Sequence, residues 1–425
     1  MKTLLSFFIE IGKLKGKHRK GMKLYGIKDP ETTAEHTFRM TIVAWFLGIK
    51  KDLDIEKVLK MSLVHDLCEV YAGDITPYDG LLPKDKKERY KFVRKWPHLS
   101  ENEKKKRYSE KLEKEESSLE RLVKRLPVEE KMEVLTLWWD YELGKTKEGR
   151  FVRQADRAEN LIEAFDCWKR DASFPTKPWW QHADEVIDDP VVLKFLTEIE
   201  IEELRKKNVS SDPAMTNLLV FFSEIGRLKR MSRRGWVLRD IKNPESIAEH
   251  IFRVAVMAWF LGKKKNLNIE KLIKIALIHD ICEVYAGDIT PYDTILPKDK
   301  NKLKELMKTW PRFSKAEKIK ISKDKNRKET EGLEKLILHL PKGLKTEIRN
   351  LWLDYEKGLT PEGRFFKQAD RIENFLQALE YWKKYGQPPQ KPWWMQATEL
   401  FDDPVLLEMI KEMKVKFHSR KNPKE

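Results

Sequence analysis

Two histidines and two aspartates recur in one order along the chain: His36, the adjacent pair His65-Asp66 and then Asp156, and again His250, His279-Asp280 and Asp370. Two imidazoles with two carboxylates make an N2O2 donor set that suits a borderline divalent ion, Mn²⁺, Co²⁺, Fe²⁺, Ni²⁺ or Zn²⁺, better than all-oxygen Mg²⁺. The donor set leaves the choice among these ions open. Taken singly, each residue has an ordinary structural role, a core histidine or, for Asp156 between Arg153 and Arg157, a surface ion pair. As a set they read differently. His279-Asp280 lies in the run Ala276-Leu-Ile-His-Asp-Ile-Cys282, where a charged aspartate is costly unless a cation neutralises it. Glu69 stands four residues after His65, and Asp74 follows in a Gly-Asp-Ile-Thr-Pro turn; Glu283 and Asp288 repeat the arrangement. Carboxylates so placed could shuttle a proton for a metal-activated water, or could merely pair with a lysine and satisfy turn amides. Upstream lies a basic strip, Lys13 to Lys20 and again Arg227 to Arg234. It is either a solvated face or a phosphate clamp, and in the second case Arg19 and Arg233 bring the guanidinium fork that matches phosphate oxygens.

The elements that must hold these side chains read as helices. Thr32-x-x-Glu35 and Ser246-x-x-Glu249 are capping boxes just after Asp29-Pro30 and Asn243-Pro244, so a helix starts there with His36 or His250 in its first turn. Met40, Val43, Ala44 and Leu47 continue the face that His36 begins, which turns the imidazole inward. The next predicted helix opens at Asp54 (Asn268 in the second set) and runs to Gly73, with His65 and Asp66 in its last two turns. The segments 115–126, 128–141 and 149–170 are helix-like as well, and no two-residue alternation argues for a sheet. The fold class expected is all-α.

The chain also repeats itself. HDLCEVYAGDITPYD at 65–79 returns as HDICEVYAGDITPYD at 279–293, and the same offset of 214, without insertion or deletion, carries His36 onto His250 and Asp156 onto Asp370. The polar stretch Lys206 to Pro213 separates the two. We read copy one as 1–207, a linker as 208–214 and copy two as 215–425. A period this long describes whole domains rather than stacking repeats.

Composition sets the remaining bounds. Hydrophobic residues are 40% of the 425 and include 14 Trp, which excludes a disordered chain. The formal charge of +16 suits phosphate-bearing partners or a solvated Lys/Glu surface. Cys68, Cys167 and Cys282 are the only cysteines and lack CxxC spacing, so no disulfide framework or thiolate zinc site is expected, and the setting read from them is reducing and cytoplasmic. No apolar run approaches the ~20 residues of a membrane span.

The order H…HD…D, with HDxxE and then GDIxP, resembles the HD-domain metal-dependent phosphohydrolases and, more narrowly, their 5′-deoxynucleotidase branch. The likeness extends over most of each copy, including Leu137 to Glu142 and Leu351 to Glu356. It implies two tandem HD-domain helical bundles, each with one divalent metal held by His36, His65, Asp66 and Asp156, or by His250, His279, Asp280 and Asp370. It further implies that Glu69 (Glu283) and Asp74 (Asp288) act at the water and the leaving group, and that a small-molecule nucleotide loses its 5′-phosphate. An arginine followed closely by tryptophan contacts the nucleotide in such proteins. Copy two keeps this as Arg233-Arg-Gly-Trp236, whereas copy one reads Arg19-Lys-Gly-Met22. Two rivals stand beside this reading: a hydrolase of another phosphorylated nucleotide such as guanosine tetraphosphate, and a non-catalytic regulator that binds nucleotide or nucleic acid. The GDITP turn disfavours the first, and the intact ligand sets in both copies disfavour the second. The charged stretches 84–114 and 298–328 read as a lid, a partner surface or a longer solvated helix pair. The duplication itself implies an intramolecular pseudo-dimer of the two copies.

Overall fold

The computed structural model describes residues 1–95, 97, 99–204, 210–308, 313–386 and 401–418. Among them there is no strand, only the isolated bridges His18–Thr32 and Ser232–Ser246, so the chain is all-α as expected. Residues 208–209 of the expected linker and 309–312 of the second charged stretch lie outside the described residues. Two compact units result: Ser6–Gly226, and Met1–Leu5 with Arg227–Glu425.

In the Ser6–Gly226 unit, the helix Thr33–Gly48 is buried along its whole length. Thr32 starts it, accepting from the Glu35 amide while the Glu35 carboxylate accepts from the Thr32 amide, which satisfies two otherwise orphaned donors. It is buried on every face, the placement of a central helix, and its polar residues gather between Thr33 and Thr41. The helices Ile55–Val64 and Lys147–Arg170 pack against it.

The Ile55–Val64 helix is shorter than expected. It ends before His65, and the chain passes through tight turns to a short helix Glu69–Ala72. Over this stretch the backbone bonds run three residues back, as in Leu67 N–H to Val64 O (3.1 Å) and Glu69 N–H to Asp66 O (3.1 Å). This 3₁₀-type tightening begins just after His65, whose own amide still bonds four residues back to Met61 O at 3.0 Å. Gly73 closes the segment with φ +74°.

The helices Val128–Leu143 and Lys147–Arg170 form a close hairpin. Gly144 takes the left-handed conformation at the first helix's end. Asp140 then accepts from the Thr146 amide (2.9 Å) and hydroxyl (2.6 Å) and pairs with Lys57 at 2.7 Å. At Gly149 a Cβ would lie 2.5 Å from the Asp140 carbonyl oxygen, so only glycine fits there. Copy two builds the same hairpin from Asp354, Gly358, Thr360 and Gly363.

Copy one's charged stretch is a helix Lys86–Val93 followed by the start of Glu101–Val123, which Ser100 opens with a capping box. The helix Pro213–Ile225, which begins copy two in sequence, belongs to the Ser6–Gly226 unit. There it packs on Thr33–Gly48, Lys147–Arg170 and Pro190–Leu204, with Phe221 stacked on Phe46 at 5.2 Å and Phe222 edge-on to Phe195 at 5.6 Å. The boundary between compact units thus falls at 226, beyond the boundary read between the repeats at 208–214. The reason is the apolar face of that helix, which is buried against copy one.

Candidate metal centre and its cavity

In copy one, His36 projects from the first turn of the buried helix. Its Nδ1 is hydrogen-bonded to the Glu159 carboxylate, and Glu159 is itself held by Arg39 Nε at 2.7 Å. His65 Nδ1 lies 2.7 Å from the Ser62 carbonyl oxygen. A carbonyl only accepts, so Nδ1 carries a proton and the ring turns its Nε2 edge inward. The Nε2 atoms of His36 and His65 face each other at 3.3 Å. Asp156 Oδ1 is 3.1 Å from the first, and Asp66 Oδ2 is 3.1 Å from the second. Tyr141 (2.7 Å) and Asn160 (2.9 Å) donate to the two oxygens of Asp156 and fix its plane.

Copy two repeats this arrangement. His250 Nδ1 is 2.5 Å from Glu373, His279 Nδ1 is 2.7 Å from the Ala276 carbonyl, and Asp370 and Asp280 lie 3.1 and 3.3 Å from the respective Nε2 atoms. Both Nε2 atoms are buried and make no hydrogen bond. Orphaned imidazole nitrogens converging with carboxylates are what a divalent cation satisfies, and the residues present fit one. His36, His65 and Asp156, and likewise His250, His279 and Asp370, offer ligand atoms within 4.8 Å of one another.

The electrostatics point the same way. Burial and Arg19 oppose a charge on His36, yet Glu159 and Asp156 outweigh them and push it up to about 10. Burial works against the Asp66 and Asp156 carboxylates, but their neighbours, His65 first for Asp66 and Arg157 first for Asp156, hold both below the usual range. The pocket is built to surround positive charge.

Glu69 is buried beside this group, its Oε2 accepting from Thr33 Oγ1 at 2.6 Å. Burial first, then Asp66 and Asp74, push its carboxyl well up. Arg19 donates to Asp66 (2.8 Å) and Asn160 (2.8 Å) and stands 3.8 Å from Glu69. Arg233 does the same with Asp280 (2.6 Å) and Asn374 (2.9 Å). Asp74 accepts from the Lys20 amide at 2.6 Å, and Asp288 from the Arg234 amide at 2.7 Å. The Glu283 Oε2 atom is buried without a hydrogen-bond partner.

Arg19, Asp66, Glu69, Asp74 and Asp156 line one cavity of about 1000 Å³ in copy one. The charged helix supplies a wall of it through Lys104, Arg107 and Lys111. Trp236 is placed differently from a residue facing the metal group. It is buried with its indole N–H donating to Glu245 (2.9 Å) and its ring edge-on to Tyr381 (5.2 Å).

Four residues of copy one were not singled out from the sequence: Arg39, Tyr141, Glu159 and Asn160. For Glu159 and Asn160 the signal is present in the repeat, because QADRAEN at 154–160 returns as QADRIEN at 368–374. Spacings of three and four from Asp156 place Glu159 and Asn160 on its helix face.

The bundle closes two imidazoles and two carboxylates beneath a cavity, a donor set that fits a divalent ion. The chain belongs to the HD-domain family, whose model matches residues 11–175 and again 225–399. It is 34% identical over 202 residues to a Xenopus laevis protein named 5′-deoxynucleotidase HDDC2, covering 47% of this chain and 88% of that protein. The Homo sapiens protein of the same name is 33% identical over 198 residues, covering 46% and 84%. A solved structure described as a conserved hypothetical protein from Pyrococcus furiosus is 27% identical, covers 46% of this chain and 97% of that one, and has a TM-score of 0.33. No described helix is long and apolar enough to cross a membrane.

Proposed function

We propose that each copy removes the 5′-phosphate from (deoxy)nucleoside monophosphates with one divalent ion. The observation that carries this reading is the convergence of inward-facing imidazole nitrogens, Asp66 and Asp156 beside Arg19 on the wall of one cavity. The names of the relatives add the nucleotide substrate. A divalent ion held by His36, His65, Asp66 and Asp156 supplies Lewis acidity toward the phosphate and the attacking water.

The chain's own residues do the rest. Arg19 holds a phosphate oxygen through its fork. Asp74 orients the water that adds to phosphorus, Glu69 exchanges a proton there as general acid/base, and the P–O5′ bond breaks. The proton then passes to the departing 5′-oxygen, leaving a nucleoside and inorganic phosphate. Arg233, Glu283 and Asp288 take these parts in copy two.

Protein loaded with Mn²⁺ or Co²⁺ is expected to release phosphate from a panel of nucleoside monophosphates. Asp66→Ala and Asp280→Ala should each remove one site's share, and the double variant should release none above background. Absence of release from every nucleotide would refute the reading.

A further inference from the structure

The candidate metal and catalytic residues are the same in both copies, whereas positions at the opposite end of copy one's cavity carry different residues in copy two. Across the 214 offset, Arg19, Asp66, Glu69, Asp74 and Asp156 are unchanged as Arg233, Asp280, Glu283, Asp288 and Asp370. At the other end Met22 is replaced by Trp236, Tyr25 by Arg239 and Cys167 by Tyr381, while Tyr78 is kept as Tyr292.

In copy one, Met22, Tyr25, Tyr78 and Trp179 line the same cavity as Asp156. Tyr78 donates to the Val93 carbonyl (3.2 Å), so the 2.9 Å contact between the two phenols is a donation from Tyr25 to Tyr78. Both hydroxyl protons are therefore committed. Tyr25 packs on Trp179 with centroids 5.6 Å apart. This end is neutral and aromatic, a surface on which any base stacks.

In copy two a guanidinium stands in Tyr25's place. Arg239 donates to the Gly235 carbonyl (2.7 Å) and hydrogen-bonds the Tyr292 phenol. Beside it Trp236 is locked by Glu245 and Tyr381, and the Tyr381 hydroxyl in turn accepts from the Glu245 amide at 2.7 Å. A guanidinium fork pairs with adjacent acceptors such as O6 and N7 of guanine; adenine offers N7 beside an amino donor and mismatches the fork.

Building on the nucleotidase reading, we infer that the copies have diverged in base selectivity, with Arg239 making copy two select guanine nucleotides over adenine nucleotides while copy one accepts either. Arg239 and Tyr25 are the specificity-determining pair.

The test compares kcat/KM for the 5′-monophosphates of deoxyguanosine and deoxyadenosine in chains with one intact site. The Asp66→Ala chain, which reports copy two, should prefer guanine by roughly tenfold or more, and the Asp280→Ala chain should show a ratio near one. Adding Arg239→Tyr to the first should erase the preference, and adding Tyr25→Arg to the second should create one. Equal ratios in the two single-site chains, or a ratio indifferent to Arg239→Tyr, overturn the inference.

Calorimetric affinities of the same variants for the two nucleotides, measured without metal, give the ratio independently of turnover. A binding preference that follows Arg239 without any phosphate release keeps this inference and removes the hydrolase reading. Release from both nucleotides with no preference does the reverse.

Discussion

Glu159 determines how His36 meets the metal group. Its carboxylate holds Nδ1 and is pinned on its other oxygen by Arg39, which also reaches Glu163 (2.8 Å) and Asp166 (2.5 Å). All of this is buried, so the anion is kept in place by a cation that has nowhere else to point. An outer carboxylate of this kind fixes the tautomer and raises the basicity of the ligating nitrogen. Glu159→Gln, made with Asp280→Ala so that only copy one binds metal, is expected to lower metal affinity by about 10- to 100-fold. Metal titration by calorimetry reads this directly, and an unchanged affinity would mean that Glu159 only neutralises Arg39. The four candidate ligands were legible in the sequence because histidine and aspartate in apolar runs are conspicuous. Glu159 was not, since a glutamate in a charged helix resembles any surface residue until the fold turns its face inward.

At the scale of elements, the most local features were the most legible. The capping boxes at Thr32 and Ser246 appear where Thr-x-x-Glu and Ser-x-x-Glu place them, because the bonds they make span three residues. The end of a helix at Val64 was not legible, because the apolar pattern continues unbroken through Leu67 and Val70 while the backbone tightens. The Val128–Leu143 and Lys147–Arg170 hairpin yields two predictions. Gly149→Ala would press a methyl group against the Asp140 backbone, which cannot swing aside as a side chain could, and should cost about 1–3 kcal/mol in denaturant unfolding. A stability equal to that of the parent chain would show that the hairpin opens freely. Asp140 itself is held below the usual carboxylate range: burial opposes ionisation, but Lys57 and Thr146 outweigh it. A folded-state pKa lower than the unfolded one means that the stabilisation is complete above the unfolded pKa of about 4 and is lost as pH falls through the folded one. Asp140→Ala should therefore cost about 2 kcal/mol at neutral pH, and the difference in melting temperature should shrink below about pH 4. A penalty that stays constant into acid would assign the loss to packing instead of charge.

At the scale of the whole molecule, the sequence repeats and the compact units do not divide the chain at the same place. The opening helix of copy two is counted with Ser6–Gly226, and Met1–Leu5 with the unit that holds copy two. The helix Pro213–Ile225 is thus counted with the repeat that precedes it in sequence, while most of copy one's own opening helix, Ser6–Ile11, stays with copy one. The repeat was legible because identical strings need no structure to be seen. The placement of Pro213–Ile225 was not, since an apolar helix beside a linker reads equally well as packing forward or backward. Phe222 offers a way to separate the two. It is fully buried, with Phe46 at 5.9 Å and Phe195 at 5.6 Å, and truncating such a ring to alanine costs about 3–5 kcal/mol. In the full chain, Phe222→Ala lies in copy two's sequence, yet it should speed amide hydrogen exchange in the copy one helix Thr33–Gly48 and leave Ile247–Lys263 as protected as before. Because His36 sits in the loosened helix, metal affinity at the copy one site should fall as well, while the copy two site keeps its own. If exchange accelerated in Ile247–Lys263 instead, the opening helix would belong to the repeat that encodes it, and the two copies would be independent domains.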